Sequence, residues 1–190
     1  MLKIICGGQT GVDRGPLDAA LDLRAECGGW CPAGRMADDG IIPDRYPVSE
    51  LPSTDYSVRT ARNVAEADGT LIIAKGELTG GTRETSEFCW EMRKPHLVLD
   101  CARLSRHEAV ERAVVFVHAL LSRAGARDLP MGDRANERLR GPSPSLGMTI
   151  VNVAGPRESQ WPQGHDIAHR IVTAILRRLS GQTRSDEYSP

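Results

Sequence analysis

Three short, nearly continuous apolar runs, each followed by glycine and then by a helix-forming segment, restrict the fold of this chain most strongly. They are Leu2–Cys6, residues 70–74 and residues 148–153. Runs of this length without apolar–polar alternation are typical of strands that are covered on both faces. Their repetition between helical segments indicates parallel strands joined by helical crossovers. We therefore predict an α/β protein with a Rossmann-like three-layer α/β/α fold and a mostly parallel sheet.

Capping signals and periodicity predict the helices between these runs. Asp13 is expected to cap the first helix, which has Leu21 on its inner face, and Ser57 is expected to cap the second. Ser105-x-x-Glu108 forms a capping box before the most regular helix. The remaining predicted elements are strands over 28–32 and 96–99 and helices over 82–93 and 162–179.

The chain length of 190 residues fits one domain, and the sequence contains no internal repeat. We predict a single domain over residues 1–180 and a flexible tail over 181–190. Residues 125–147 are polar and rich in Gly, Pro and Arg, which predicts an exposed insertion. Residues 33–54 lack periodicity and contain three prolines, and loops of this length are usually functional or mobile.

The charge balance and the cysteines argue against several classes of protein. The formal net charge of −1 removes the simplest electrostatic case for a nucleic-acid binder. No apolar run approaches the ~20 residues that span a bilayer, and Leu2–Cys6 is too short for a signal peptide. We expect a cytoplasmic protein without nucleic-acid or membrane partners. The five cysteines are odd in number and Cys27-x3-Cys31 has no second ligand pair, so we expect reduced, mostly buried thiols and no metal site.

The position of the glycines predicts a binding site. Glycine accounts for 19 of the 190 residues, and three glycine-bearing turns follow predicted strands. In a parallel sheet such turns share the carboxyl edge, where open α/β folds bind ligands. A helix N-terminus offers unpaired N–H donors and partial positive charge, so the three turns together suit a phosphate or another oxyanion. The candidate ligand-binding residues are Gly7, Gly8, Gln9, Thr10, Gly11, Lys75, Gly80, Gly81, Thr82, Gly155, Arg157 and Ser159.

Neither standard nucleotide-binding motif fits these turns. The first turn reads G-G-x-x-G rather than G-x-G-x-x-G, and the sequence has no G-x-x-x-x-G-K-[ST]. An ordinary dinucleotide enzyme and a P-loop NTPase are therefore disfavoured.

Polar residues near the turns allow both a functional and a structural interpretation. Asp13 and Arg14 could contact a ligand, or form a helix cap with a solvated partner. Glu87 could be a general acid or base, whereas Glu84 is interpreted as favouring the dipole at the start of its helix.

Further candidates lie away from the glycine turns. Asp38 and Asp39 are interpreted as loop charges. His165 and His169 are spaced i, i+4, but no acidic residue at suitable spacing completes a metal site, so we interpret them as a solvated helix face. Trp30 either stacks on a flat ring of a ligand or fills the core.

Four ordered blocks of the sequence resemble one family. They are Gly7–Arg14, Gly28–Pro32, Gly76–Thr82 and Asn152–Ser159. Together they are similar to the molybdenum-cofactor carrier proteins, which form the circularly permuted YpsA branch of the SLOG superfamily. The resemblance runs over residues 1–124 and 148–179. It implies a Rossmann-like fold, dimers or tetramers, and molybdenum cofactor, a pterin with a phosphate tail, bound at the matched glycine turns.

A wider resemblance links the chain to LOG-type phosphoribohydrolases, whose turn reads P-G-G-x-G-T-x-x-E. The segment Thr79–Glu87 keeps the glycine pair and the final Glu87. It lacks the proline, and Arg83 and Glu84 replace the later glycine and threonine. This departure weakens the case for nucleotide hydrolysis.

Three functions follow from these residues and resemblances. The first is a carrier that holds molybdenum cofactor at the glycine turns and has a molybdoenzyme as acceptor. The second is a hydrolase of a nucleoside monophosphate or an ADP-ribose-like compound, with Glu87 as acid or base. The third is a sensor of a nucleotide derivative without catalysis.

Overall fold

A sheet of five parallel strands forms the middle layer of the protein in this computed structural model, which describes residues 1–127 and 148–181. In chain order the strands are β1 (Leu2–Ile5), β2 (Glu26–Gly28), β3 (Trp30–Cys31), β4 (Met36–Ala37), β5 (Gly40–Ile41), β6 (Ser49–Glu50), β7 (Gly69–Ala74), β8 (His96–Asp100) and β9 (Thr149–Ala154). The helices are α1 (Arg14–Asp22), α2 (Tyr56–Glu66), α3 (Gly80–Glu91), α4 (Arg106–Arg127) and α5 (Gly164–Leu179). The central sheet has the spatial order β2-β1-β9-β7-β8.

Helices cover both faces of this sheet. The first face carries α1, α4 and α5, and the second carries α2 and α3. On the first face, Ile4 of β1 lies opposite Val151 of β9, and both are buried in one apolar cluster with Leu71, Ile171 and Ile175. The arrangement confirms the predicted Rossmann-like three-layer fold.

The second face of the sheet is more polar. Thr70 and Asn152 are buried next to each other in neighbouring strands, and Asn152 Nδ2 donates to Thr70 Oγ1 at 3.4 Å. The amide of Asn63 in α2 accepts from the backbone N–H of Trp30 at 2.9 Å and donates to its carbonyl at 3.0 Å. These two directional bonds fix the position of α2 relative to β3.

Two segments differ from the structure that the sequence predicts. The predicted strand over 28–32 is divided by Gly29, whose φ of 128° separates β2 from β3. Residues 33–54, predicted to lack regular structure, contain the β4–β5 hairpin and β6. One side chain organises this segment, because Arg35 donates hydrogen bonds to the backbone carbonyls of Ile42, Pro43, Tyr46 and Val48. Order of this kind leaves no periodic pattern in a sequence.

The predicted helix boundaries were correct in part. The capping box is confirmed, since Glu108 N–H donates to Ser105 Oγ at 3.2 Å and Ser105 N–H donates to Glu108 Oε2 at 2.9 Å. The cap of α2 is Asp55, whose carboxylate accepts from the N–H of Ser57 at 2.8 Å. Leu21 is 37% exposed, so the inner face of α1 is narrower than predicted.

Parts of two predicted segments lie outside the described residues. The predicted insertion over 125–147 does so from residue 128 onward, after α4 has continued to Arg127. The predicted tail does so from residue 182 onward. Within the two described ranges, no helix combines the length and the apolar character needed to cross a membrane.

Candidate functional site

A cleft lies at the carboxyl edge of the sheet, between the turns that follow β1, β7 and β9. The chain leaves β1 toward β2 and leaves β7 toward β8, on opposite sides of β9. Open α/β sheets bind ligands at such a switch point. The cleft is lined by Gln9, Asp13, Tyr56, Arg59, Thr60, Gly81, Thr82, Glu84, Thr85, Ala154, Gly155, Arg157 and Gln160.

All three predicted turns contribute to this cleft, although not with all the predicted residues. Five of the twelve candidate binding residues line it: Gln9, Gly81, Thr82, Gly155 and Arg157. Six others belong to the same turns without lining the cleft: Gly7, Gly8, Thr10, Gly11, Gly80 and Ser159. Lys75 is exposed and does not line the cleft.

The turn after β1 is occupied by a side chain of the protein itself. Asp13 is 3% exposed, its carboxylate accepts a hydrogen bond from Arg59 Nη1 at 3.0 Å, and it lies beside the backbone N–H groups of Gly7 and Gln9. Burial raises the pKa of Asp13 above its ordinary value, although Arg59 and the two N–H groups act in the opposite direction. The side chain of Asp13 therefore makes no capping hydrogen bond to α1, contrary to the prediction, and it fills space beside the first turn that the sequence assigned to a ligand.

Glycine in the turns after β1 and β9 is required by packing. A Cβ at Gly7 would collide with the Arg59 guanidinium, and a Cβ at Gly155 would collide with the carbonyl of Ile73. At Gly11, where φ is 77°, a Cβ would lie 2.6 Å from the backbone nitrogen of Glu158. We call these two turns the closed turns, because their glycines bring protein atoms together.

The turn between β7 and α3 has different surroundings, and we call it the open turn. At Gly80 and at Gly81, a Cβ would have no neighbour within 4 Å. Gly80 has a φ of 49°, which favours glycine, but Gly81 has no such backbone requirement. Among the described residues, no acceptor binds the N–H groups of Gly80 and Gly81, whereas the N–H of Thr82 returns to the carbonyl of Thr79. The start of α3 therefore presents free donors at the cleft.

Arg59 supplies positive charge beside the open turn. Its side chain is 14% exposed and is held by Asp13, and its Nε is buried without a hydrogen-bond partner. A buried donor without a partner is unfavourable, and an incoming acceptor relieves that penalty. The guanidinium also lies 6.0 Å from the ring centroid of Tyr56. With the N–H groups of α3, Arg59 forms a donor set that suits an oxyanion.

Arg157 and Ser159, predicted as ligand contacts, bind a carboxylate of the protein. Arg157 Nη1 lies 2.6 Å from Asp38 Oδ1, and Ser159 Oγ donates to Asp38 Oδ2 at 3.0 Å. The neighbouring Asp39 pairs with Arg14, and this hydrogen-bonded pair lowers the pKa of the Asp39 carboxyl. Asp38 and Asp39 are exposed turn residues, as predicted, but the prediction did not include the partners far along the chain that engage both.

Glu84, and not Glu87, is the glutamate of α3 that reaches the cleft. Glu84 lines it and accepts from Ser57 Oγ at 2.7 Å. Glu87 is exposed and pairs with Arg83 of the preceding turn at 3.3 Å. Helical geometry explains the difference: Gly81 and Glu84 are three residues apart and share a helix face, while Glu87 is six residues from Gly81 and does not.

The histidines and Trp30 have structural partners. His165 Nε2 lies 2.8 Å from Asp18, and His169 Nε2 lies 3.1 Å from Asp22, so these side chains join α5 to α1. Their interpretation as a solvated face is wrong, because it did not include the facing aspartates of α1. Trp30 is half-buried and its Nε1 donates to Glu66, so it does not fill the core.

Thiols and metal ligands are distributed as follows. All five cysteines are unbonded and are buried or half-buried, as predicted. Over residues 1–124 and 148–181, no three His, Cys, Asp or Glu side chains lie close enough to hold a metal ion.

Sequence reasoning missed the contribution of α2 to the cleft. Tyr56, Arg59 and Thr60 line it and are spaced i, i+3, i+4, so they form a polar stripe on one face of the helix. The same spacing in the sequence was the available signal. Gln160, in the segment after β9, also lines the cleft, but no pattern in the sequence marked it.

The fold and the cleft define a Rossmann-like protein with donors for an oxyanion at the switch point of its sheet. The sequence model of the circularly permutated YpsA SLOG family matches residues 4–140, and the chain belongs to this family. The protein is similar to the crystal structure of "Putative molybdenum carrier protein" from Syntrophus aciditrophicus SB, with 34% identity and a TM-score of 0.72. The alignment covers 92% of this chain and 94% of that chain. No curated protein matches the sequence significantly.

Proposed function

We propose that the protein binds and carries molybdenum cofactor, and that the phosphate of the cofactor is held at the open turn. The observation that carries the proposal is Gly81, which lines the cleft where neither packing nor backbone conformation requires glycine. A residue without a side chain at this position lets an anion approach the N–H groups at the start of α3. The likeness to a molybdenum carrier protein supports the identity of the cargo.

The charge for this site would come from Arg59 rather than from Lys75. The Arg59 guanidinium lies in the cleft with its buried Nε unpartnered, whereas Lys75 is exposed and outside it. A phosphate bound between the Arg59 guanidinium and the N–H of Gly81 would meet positive charge and a free backbone donor of α3 together. Gln160 and the hydroxyl of Thr82 would be available for polar groups of the pterin.

The remaining parts of the proposal concern transfer. A carrier has to release its cargo to an acceptor, and we propose a molybdoenzyme in the cytoplasm as that acceptor. A cleft that is open at the sheet edge suits such an exchange.

We also propose that the chain forms a dimer or tetramer, which native mass spectrometry would measure together with any bound cofactor.

Anaerobic titration of the purified protein with molybdenum cofactor tests the proposal. Saturable binding is expected for the natural chain and for Lys75→Ala, the control outside the cleft. Gly81→Asp should abolish binding, because its carboxylate would stand where the phosphate binds, and Gly81→Ala should weaken it. Absence of binding by the natural chain, or undiminished binding by Gly81→Asp, would contradict the proposal.

The position of Glu84 favours a second candidate function, hydrolysis of a nucleoside monophosphate or an ADP-ribose-like compound. In such a reaction water replaces the base at the sugar carbon, and a carboxyl group has to exchange a proton with water or base. Glu84 lies in the cleft beside Ser57, whereas Glu87 does not line it.

A panel of nucleotides separates hydrolysis from binding. Release of base that is lost in Glu84→Gln and kept in Glu87→Gln would support the hydrolase. Loss of base release in Glu87→Gln would instead identify Glu87 as the acid or base, as the sequence predicts. Tight nucleotide binding without release of base would identify a sensor.

A further inference from the structure

The turn of the β4–β5 hairpin consists of two aspartates, of which Asp38 reaches the cleft. Asp38 and Asp39 connect Ala37 to Gly40, and Asp39 pairs with Arg14 outside the cleft. Gly40, directly after the turn, has a φ of 110°, which favours glycine. The hairpin thus carries the negative charge of Asp38 to the edge of the cleft.

Asp38 meets three donors that come from two different turns. Its Oδ1 lies 2.6 Å from Arg157 Nη1 and 3.4 Å from Gln9 Nε2, and its Oδ2 accepts from Ser159 Oγ at 3.0 Å. We call these three donors the Asp38 subsite. Gln9 and Arg157 also line the cleft, so the subsite is continuous with it.

The orientation of Gln9 is fixed independently of the Asp38 carboxylate. Gln9 Oε1 accepts from the backbone N–H of Asp38 at 2.8 Å and from that of Thr10 at 2.9 Å. With its oxygen bound to two N–H donors, the amide has to present Nε2 toward the subsite. Gln9 would therefore keep its orientation if the Asp38 side chain were replaced.

The carboxylate in this subsite is a replaceable ligand. Asp38 has a side-chain exposure of 28% and Arg157 one of 43%, so the ion pair is partly hydrated. Partly exposed ion pairs contribute little, and a released Asp38 would regain water. Three donors that converge on a carboxylate also match the oxygens of a tetrahedral oxyanion.

We propose that the Asp38 subsite is a second oxyanion-binding site of the cleft, and that a phosphate or molybdate group of the ligand replaces the Asp38 carboxylate there. This inference deepens the proposed function and rests on it. The ligand then carries two anionic ends, one at the open turn and one at Arg157 and Ser159. Asp38 lowers the apparent affinity for anions because it occupies donors that the ligand needs.

Calorimetric titration with inorganic phosphate and, separately, with molybdate tests this inference on the full chain. Asp38→Ala and Asp38→Asn should bind at least one of the two anions about tenfold more tightly than the natural chain, since a competitor has been removed. Which anion gains distinguishes a phosphate subsite from a molybdate subsite. Ser159→Ala combined with Asp38→Ala should reduce the gain, because one of the three donors is lost.

Asp39→Ala is the matched control. It removes the other carboxylate of the same turn and its pair with Arg14, but it leaves Asp38 on Arg157. Its affinity should stay within about twofold of the natural chain. An equal gain in Asp39→Ala would show that loosening of the hairpin is responsible, and it would overturn the subsite.

The outcomes also separate this inference from the proposed function. If the natural chain binds molybdenum cofactor and Gly81→Asp abolishes binding, but Asp38→Ala gains no anion affinity, only the subsite is wrong. If neither the natural chain nor any Asp38 variant binds cofactor, phosphate or molybdate, both are wrong. Circular dichroism of each variant confirms that the titrated protein is folded.

Discussion

The closed turns and the open turn have the same sequence signature, a strand followed by glycine and a helix, but different surroundings. In the closed turns, a Cβ at Gly11 or Gly155 would meet backbone atoms of another segment. In the open turn, a Cβ at Gly81 would meet nothing within 4 Å. Glycine serves close packing of the chain in the first case and leaves space for a ligand in the second.

The comparison also explains where charge is found. In the closed turn after β1, the space beside Gly7 is filled by the Asp13 carboxylate and by the guanidinium of Arg59. Arg59 is thereby held at the cleft while its Nε remains unpartnered. The closed turns therefore build and support the site, and the open turn provides its free donors.

Replacing glycine with alanine should distinguish the closed turns from the open turn, and its effect on stability should be the largest of those predicted. Gly155→Ala should lower the free energy of unfolding by about 3 kcal/mol, because the new methyl group collides with the Ile73 carbonyl. Gly81→Ala should change it by less than about 1 kcal/mol and in the stabilising direction. Urea unfolding of both variants measures the difference. Equal destabilisation would remove the distinction between closed and open turns.

Loss of Arg59 should have the next largest effect. Arg59→Met leaves the Asp13 carboxylate buried without its guanidinium partner, which should destabilise the protein by about 2 kcal/mol at neutral pH. The Asp13 pKa is already raised in the folded state, so its contribution to stability falls as pH rises above the ordinary value of 3.8. Without Arg59 the pKa rises further, and protonation at mildly acidic pH neutralises the buried charge.

The pH dependence provides the check on that prediction. The difference in unfolding free energy between Arg59→Met and the natural chain should shrink as the pH is lowered from 7 toward 4.5. Arg62→Met is the control, since Arg62 is an exposed arginine of the same helix. A difference that is independent of pH would mean that Arg59 acts through packing alone.

Loss of the contact between His165 of α5 and Asp18 of α1 should have the smallest effect on stability. The contact holds α1, the helix that follows the closed turn after β1. Burial lowers the pKa of His165, but the hydrogen bonds to Asp18 and Asp166 outweigh it and raise the pKa above 6.5. The stability that protonated His165 contributes is fully present below pH 6.5, and it is lost as the pH rises through the pKa of the folded state. His165→Gln should therefore lower the free energy of unfolding by about 0.5 kcal/mol at pH 5.5 and by less at pH 8.5. The effect is small because the side chain is partly exposed and water screens the pair. A larger cost at pH 8.5 would contradict this assignment.

Sequence reasoning predicted the layers because strands and helices follow from local patterns. Leu71 and Ile73 in β7 are part of an apolar run, and Ser105 and Glu108 are three residues apart. Several of the errors concern pairs that are distant in the chain. The cap assigned to Asp13 was displaced by a partner 46 residues away, Arg59.

The candidate site was predicted in outline for the same reason. The turns after β1, β7 and β9 were identified because strand ends and glycines are adjacent in the sequence. That Asp38 occupies Arg157, which lies 119 residues further along, has no local signature. The choice of Glu84 over Glu87 could have been made from helical periodicity, counted from Gly81.

Backbone amide NMR during titration with inorganic phosphate tests most directly that the open turn holds the anion. In a ¹⁵N-labelled sample, the amide signals of Gly80 and Gly81 should shift most among the glycines of the three turns. The signal of Gly7 should move little, because the buried Asp13 carboxylate lies beside it and repels an anion. A large shift at Gly7 with none at Gly80 and Gly81 would contradict the account, since the anion would then have displaced Asp13 from a closed turn.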